Sequence, residues 1–160
     1  MIWSDPLPLS EYRRAPAVVG LYIIGSPFNE ATPPTPSGQN DDYLGANFPN
    51  NFRSEYIGIS EFPRSGVRGR LSKHARKVGS KRIAELLMRG RKLYFITCPD
   101  EVTAASLERV MLCLHGPGQF ECNVRKDYLR NPSSMHEEIH RKMGGKPFIP
   151  IPRTWEGDGM

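Results

Sequence analysis

The chain has 160 residues, of which 38% are hydrophobic and 24% charged, and this composition fits one folded domain with a buried core. No apolar run is long enough to span a bilayer, and the first residues lack the pattern of a signal peptide. The sequence therefore predicts a cytoplasmic protein with no membrane partner. Its three cysteines lack C-x-x-C spacing and are interpreted as reduced thiols: Cys98, Cys113 and Cys122.

The first third of the chain predicts two strands separated by a long insertion. A short helical turn is expected at 10–14, and the nearly continuous apolar residues of 17–25 indicate a strand buried on both faces. Residues 27–53 contain five prolines and five asparagines, so no regular element is predicted there. Alternating β-branched residues from 54 to 60 predict the second strand.

The rest of the chain predicts helices around a third strand. A helix is expected from Val67 to Val78, and a second helix, 81–89, is expected to begin at a Ser80 cap. The remaining predicted elements are a strand at 92–97, a helix at 99–115, a strand at 120–124, a polar helix at about 133–143 and an extended tail at 144–160. The predicted fold is a single α+β domain with its core in 17–143 and a small three-stranded, mostly antiparallel sheet flanked by helices.

Positive charge is concentrated in residues 64–92, which we call the basic segment. It holds 11 of the 22 Lys and Arg residues and only one acid, Glu85, so its net charge is +10 while the rest of the chain is at −5. This density is typical of a polyanion-binding surface, and a solvated basic face is the alternative.

Two residues of the first predicted helix are expected to have a functional role. At 100° per residue, Arg70 and His74 fall on or beside the apolar face, where a charge is costly without a partner or a function. The other basic residues fall on the outer sides: Arg68, Lys73, Arg76 and Lys77. Further along, Glu108 is the only acid in an otherwise apolar half of a helix, and both a metal ligand and a salt bridge remain open for it.

These motifs follow one another along the chain in an order that matches a known protein family. Gly-Leu-Tyr at 20–22 and Tyr-Ile-Gly at 56–58 precede the Arg-x-x-x-His sequence of 70–74, and Glu108 and Asn123 follow. Together they resemble the GIY-YIG nuclease family over most of the chain, roughly from residue 17 to residue 125.

The resemblance implies a divalent-metal-dependent endonuclease that hydrolyses DNA, with Mg²⁺ or Mn²⁺ as cofactor. Tyr22 and Tyr56 match the paired tyrosines, one of which would help to deprotonate the attacking water. Arg70 matches the residue that grips the scissile phosphate, and His74 matches a histidine found in many members. Glu108 would hold the metal, and Asn123 would close the site.

The residue chemistry agrees with these roles. A guanidinium can hold a phosphate with two parallel hydrogen bonds, and Mg²⁺ needs only one or two carboxylates beside the phosphate oxygens. A tyrosine with a pKa of about 10 is a poor base at neutral pH, so nearby cations must lower that pKa. Arg70, His74 and the basic segment are the candidates. The nonspecific phosphate contacts are expected from Arg68, Lys73, Arg76, Lys77 and Lys81.

The 27–53 insertion is expected to read bases of double-stranded DNA and to tolerate shortening. A compact chain with this insertion favours a restriction-type enzyme, possibly a homodimer. A catalytically silent nucleic-acid-binding module and a repair, homing or mobile-element nuclease are the alternatives. Residues 136–140 fit H-E-x-x-H, the zinc-peptidase motif, but they lie in a predicted polar helix, so a solvated helix is preferred.

Overall fold

The computed structural model describes residues 1–41, 44–60 and 64–99. The strands are β1 (Leu7–Pro8), β2 (Gly20–Ser26), β3 (Asn40–Asp41), β4 (Gly45–Ala46), β5 (Arg53–Ser60) and β6 (Tyr94–Cys98). A 3-10 helix covers Leu9–Arg14, and the α-helices are α1 (Gly66–Ala75) and α2 (Lys81–Met88). Four strands form an antiparallel sheet in the order β1-β6-β2-β5, and β3 pairs with β4 in a separate ribbon.

The α+β class is confirmed, but the prediction of three strands is wrong for this sheet. The fourth strand is β1, in which Leu7 lies opposite Phe95 and Pro8 lies opposite Tyr94. Proline lacks the N–H that a central strand must donate, so it is confined to edges such as this one. The sequence pattern missed β1 because two residues beside a proline carry no alternation.

The expected burial of the first strand is confirmed, since every residue of β2 is buried. The strand starts at Gly20 rather than at residue 17, and Val18 is exposed. The predicted extension of the first helix to Val78 is wrong: α1 ends at Ala75, and Val78 is 64% exposed. The predicted cap of α2 is confirmed, because the Ser80 side chain accepts a hydrogen bond from the N–H of Ile83.

The prediction that 27–53 contains no regular element is wrong. The ribbon of β3 and β4 lies within this insertion. Three other side chains of the insertion are buried: Leu44, Phe48 and Phe52. Together with Trp3, whose indole N–H donates to the Leu44 carbonyl, they form an apolar layer over one face of the sheet. Aromatic side chains at wide spacing supply this layer, and aliphatic periodicity cannot reveal them.

The second face of the sheet packs against the helices. Successive residues of a strand point to opposite faces, so Leu21 and Ile23 join the layer formed by the insertion. Tyr22 and Ile24 instead pack with residues of α1 and α2, among them Val67, Leu71 and Ile83. One strand therefore supplies both cores.

Several predicted features lie outside the described residues. They are the metal ligand Glu108, Asn123, Cys113, Cys122, the elements predicted from 99 to 143, the H-E-x-x-H sequence at 136–140 and the tail at 144–160. Within the described ranges, neither α-helix is long and apolar enough to cross a membrane.

Candidate active site

The position of α1 is set by hydrogen bonds at its N-terminus. The side chain of Ser65 does not cap the helix. Instead, the N–H of Val67 donates to the carbonyl of Val18 at 2.9 Å, and the N–H of Arg68 donates to the carbonyl of Pro16 at 3.2 Å. These bonds satisfy amides that a helix start leaves free. They also join α1 to the residues just before β2, so the inner face of the helix lies over the strand that carries Tyr22.

The two motif tyrosines share the helix-facing side of the sheet. In the register of β2 with β5, Tyr22 lies opposite Gly58 and Ile24 lies opposite Tyr56, so the tyrosines are diagonal neighbours. Their rings are stacked, with centroids 6.1 Å apart and planes 23° apart. A Cβ atom at position 58 would collide with the hydroxyl end of Tyr22. The glycine of Tyr-Ile-Gly is therefore needed for the space that Tyr22 occupies.

His74 completes a cluster with both tyrosines, from the last turn of α1. Its Nε2 atom lies 3.0 Å from the Tyr22 hydroxyl in a buried hydrogen bond. Its ring centroid is 4.6 Å from that of Tyr56 and 5.7 Å from that of Tyr22. The prediction that His74 faces inward is thus confirmed. The structure brings together three of the predicted site residues from positions far apart in the chain.

Arg70 lies beside this cluster but is exposed. It is one helical turn before His74, close enough for its charge to act on both His74 and Tyr22. The predicted place of Arg70 on or beside the inner face is thus realised at the rim of the cluster. Arg70 forms no ion pair with a described residue.

Burial controls the protonation of the cluster. Burial, with a smaller contribution from the nearby Arg70 charge, lowers the pKa of His74 from 6.5 to about 4, so the imidazole is neutral at pH 7. Burial also raises the pKa of Tyr22 above its ordinary value, and the charge and hydrogen bond of Tyr56 add to this, while Arg70 opposes it. Arg70 thus acts on Tyr22 in the expected direction, but burial outweighs it, so the expectation that cations produce a net fall in the pKa is wrong for Tyr22. His74, being neutral, is not one of those cations.

The two tyrosines differ in their access to solvent. Tyr22 is only 2% exposed and hydrogen-bonded at its hydroxyl, whereas Tyr56 is partly exposed. Of the two phenols, Tyr56 is the one open to solvent, and Tyr22 is hydrogen-bonded to His74.

The predicted phosphate-binding residues are all exposed on α1, on α2 or on the turn between them: Arg68, Lys73, Arg76, Lys77 and Lys81. Two of them have intramolecular bonds. Arg68 donates from Nε to the Ala15 carbonyl at 2.6 Å, and Arg76 donates from Nε to the Ser72 hydroxyl at 3.1 Å. The three lysines make no ion pair with a described residue, so their charges remain available on that surface.

Sequence reasoning missed the groups that hold His74 on its far side. The N–H of Ser80 donates to His74 Nδ1 at 3.2 Å, and Gly79 lies against the same ring. The sequence indicated Gly79 only as a helix terminator and Ser80 only as a cap. No side-chain pattern could reveal a main-chain donor.

The described residues alone do not form a metal site. Among them there is no group of three or more His, Cys, Asp and Glu side chains that could hold an ion. The predicted carboxylate ligand, Glu108, lies outside those ranges.

No family model, curated protein or solved structure matches this chain. The functional argument therefore rests on the residues and on their geometry.

Proposed function

We propose that this chain is a divalent-metal-dependent endonuclease with a GIY-YIG-like site that hydrolyses phosphodiester bonds of double-stranded DNA. The observation that carries the proposal is the convergence of Tyr22, Tyr56 and His74 beside an exposed Arg70. This cluster lies at the edge of a surface with a dense positive charge. A purely structural cluster would not need an arginine and a partly exposed phenol at its rim.

Arg70 is the group that would bind the scissile phosphate. Its planar guanidinium can donate two parallel hydrogen bonds to non-bridging oxygens, and its charge opposes the negative charge that builds up in the transition state. A lysine supplies the charge but not the paired donors. The exposure of Arg70 leaves it free to make this contact.

Tyr56 is the tyrosine that would face the attacking water. The phenol of Tyr22 is buried and stays protonated, so it would share a hydrogen bond with His74 rather than contact the substrate. His74 would hold Tyr22 in place as a neutral imidazole. The pair of tyrosines then has two distinct tasks, one at the surface and one beneath it.

The proposed cofactor is Mg²⁺ or Mn²⁺, held by Glu108 and by the phosphate oxygens. Such an ion, when bound, neutralises charge on the phosphate and stabilises the leaving oxygen. Asn123 is proposed to close the same site. Both assignments come from the resemblance stated above.

The lysines of α1, of the following turn and of α2 would hold the DNA backbone. Phosphate contacts position a protein on a duplex without reading its sequence. A restriction-type enzyme acting as a homodimer is our proposal for the biological form, because cutting both strands needs two sites. A repair, homing or mobile-element nuclease is the alternative within this class.

Cleavage of plasmid DNA with Mg²⁺ tests the proposal. We expect the wild-type chain to nick or linearise the plasmid, and Arg70→Ala to lower the rate about 10²–10³-fold, as for the removal of one transition-state donor. Arg70→Lys should recover little of it. Arg89→Ala removes an equally exposed cation at the end of α2 and serves as the matched control, with a rate near wild type.

Three results would count against the proposal in different ways. Retarded DNA without any cleavage in Mg²⁺ or Mn²⁺ would leave a nucleic-acid-binding module. Equal losses of cleavage rate in Arg70→Ala and Arg89→Ala would show that Arg70 contributes only a positive charge, as the other exposed cations do. Wild-type cutting by Glu108→Gln would show that the metal assignment is wrong.

A further inference from the structure

The turn after α1 brings the main chain back over His74. The N–H of Lys77 donates to the His74 carbonyl at 3.1 Å, and the N–H of Val78 donates to the Lys73 carbonyl at 2.9 Å. These two bonds form a Schellman ending, and Lys77 takes the left-handed conformation that it requires, with φ at +65°. The chain therefore reverses at Lys77 and crosses the last turn of the helix.

Gly79 is the residue that passes closest to the imidazole. A Cβ atom at position 79 would lie 2.6 Å from His74 Nδ1 and 3.0 Å from Cε1. Real Cβ atoms do not approach so closely, so any side chain here would displace the ring or the turn. The absence of a side chain lets the N–H of Ser80 reach Nδ1 at 3.2 Å.

This contact determines which ring nitrogen carries the proton. A main-chain N–H can only donate, so Nδ1 of His74 must accept. The imidazole is neutral at pH 7, because burial and the Arg70 charge together lower its pKa to about 4, and its single proton is then on Nε2. Nε2 lies 3.0 Å from the Tyr22 hydroxyl and donates to it. The hydroxyl proton of Tyr22 is then left for another acceptor, and the neighbouring phenol stacked on its ring is Tyr56.

We infer that Gly79 and the N–H of Ser80 are positioning groups: they fix the Nε2–H tautomer of His74 and thereby direct the hydroxyl proton of Tyr22 to Tyr56. The chain of donors then runs from the main chain of Ser80 through His74 and Tyr22 to the partly exposed phenol. In this order Tyr56 accepts a hydrogen bond at its oxygen, and its own hydroxyl proton is left to be donated to a group outside the cluster. A role for this order of hydrogen bonds in DNA cleavage rests on the proposed function, but the order of the hydrogen bonds does not.

Ser80 offers a matched pair of variants, because its two polar groups have separate partners. Its side-chain oxygen caps α2 at Ile83, and its N–H serves His74. Ser80→Ala removes only the cap. Ser80→Pro removes the cap and the N–H, and the φ of −66° at this position is the value that proline imposes. The difference between the two variants reports the loss of the N–H together with the proline Cδ that takes its place beside His74 Nδ1.

The tautomer is measured by the ¹⁵N chemical shifts of the His74 side chain. We expect the Nε2–H form in the wild type and in Ser80→Ala, and the Nδ1–H form or a mixture in Ser80→Pro. Gly79→Ala, which pushes the ring away from the same N–H, should behave as Ser80→Pro does. An Nδ1–H tautomer in the wild type would overturn the inference, even if neither variant folds.

Cleavage kinetics then separate positioning from mere stability. Among variants that remain folded by circular dichroism, Ser80→Pro should lower kcat at least tenfold below Ser80→Ala while KM for DNA stays the same. Equal tautomers and equal kcat values in Ser80→Pro and Ser80→Ala would overturn the inference. If the wild type cuts no DNA, the proposed function fails, and the ¹⁵N shifts alone still decide whether the main chain fixes the tautomer.

Discussion

The two faces of the main sheet are built from the same strands but hold together differently. The face covered by the 27–53 insertion is an apolar layer in which Trp3, Phe48 and Phe52 meet edge to face, with ring centroids 5.9 and 6.0 Å apart. The face covered by the helices mixes apolar side chains with the hydrogen-bonded pair of Tyr22 and His74. The first face depends mainly on contact area, although the Trp3 indole also donates to the Leu44 carbonyl, whereas the second face has its donors and acceptors among the candidate site residues.

This difference separates stability from chemistry. Apolar contacts lack direction, so the insertion face can lose part of its buried contact area while the remaining side chains keep their arrangement. A buried hydrogen bond is directional, and the loss of one partner leaves the other without compensation. We therefore expect changes on the insertion face to act on the folded population, and changes on the helix face to act on the site.

The largest expected effect is on the insertion face. Phe48→Ala should lower the free energy of unfolding by about 3–5 kcal/mol, because it removes a buried aromatic ring and leaves a cavity. Urea denaturation measures this loss. Met88→Ala is the control, since Met88 is 73% exposed and its truncation should change stability by no more than about 0.5 kcal/mol.

This prediction is opposed to the expectation that the insertion tolerates shortening, because Phe48 is buried. A loss as small as that of Met88→Ala would instead favour 27–53 as a surface loop that tolerates shortening. Activity per folded molecule should remain near wild type in Phe48→Ala. A large fall in activity per folded molecule would show that the two faces are coupled.

The next effect is a pH dependence that belongs to the helix face. The folded pKa of His74 is about 4 against 6.5 in the unfolded chain, so below pH 6.5 the unfolded state binds the proton first. Stability is complete above pH 6.5 and falls as the pH drops to about 4. Between about pH 7.5 and about pH 5 the loss should be roughly 2 kcal/mol.

Urea denaturation of the wild type and of His74→Gln at both pH values isolates this contribution. The variant lacks the titrating ring, so its stability should change about 2 kcal/mol less over the same interval. Parallel behaviour of the two proteins would mean that His74 is not buried as a neutral base. Carboxylates of the chain titrate in both proteins and cancel in the comparison.

The smallest expected effect has the opposite sign and concerns the turn after α1. Lys77 adopts a left-handed conformation that glycine takes without strain, so Lys77→Gly should raise stability by about 1 kcal/mol. If Lys77 contacts a phosphate, the same variant should lower the salt dependence of DNA binding by about one charge.

Lys73→Ala is the matched control for Lys77→Gly. Lys73 lies in the regular part of α1, so its removal should lower the salt dependence equally without the gain in stability. Thermal unfolding and a binding titration at several salt concentrations measure the two quantities. A more stable Lys77→Gly with unchanged salt dependence would place Lys77 off the DNA surface.

Local patterns in the sequence determined much of the fold and part of the site. Continuous apolar residues identified β2, helical spacing placed Leu71 and His74 inward on α1, and the Ser80 cap of α2 followed from residue type. These features are local because strand alternation and helical periodicity repeat over a few residues. The two short motifs also predicted that Tyr22 and Tyr56 are paired, and the strand register makes them diagonal neighbours.

Tertiary structure alone decided the features that join distant residues. The insertion became a core layer because Phe48 and Phe52 meet Trp3, more than forty residues earlier in the chain. The neutral state of His74 and the raised pKa of Tyr22 come from burial, which depends on the packing of α1 over the sheet. The donor to His74 is a main-chain N–H, and every residue except proline carries one. Only the path of the chain through Gly79 gives that N–H a partner.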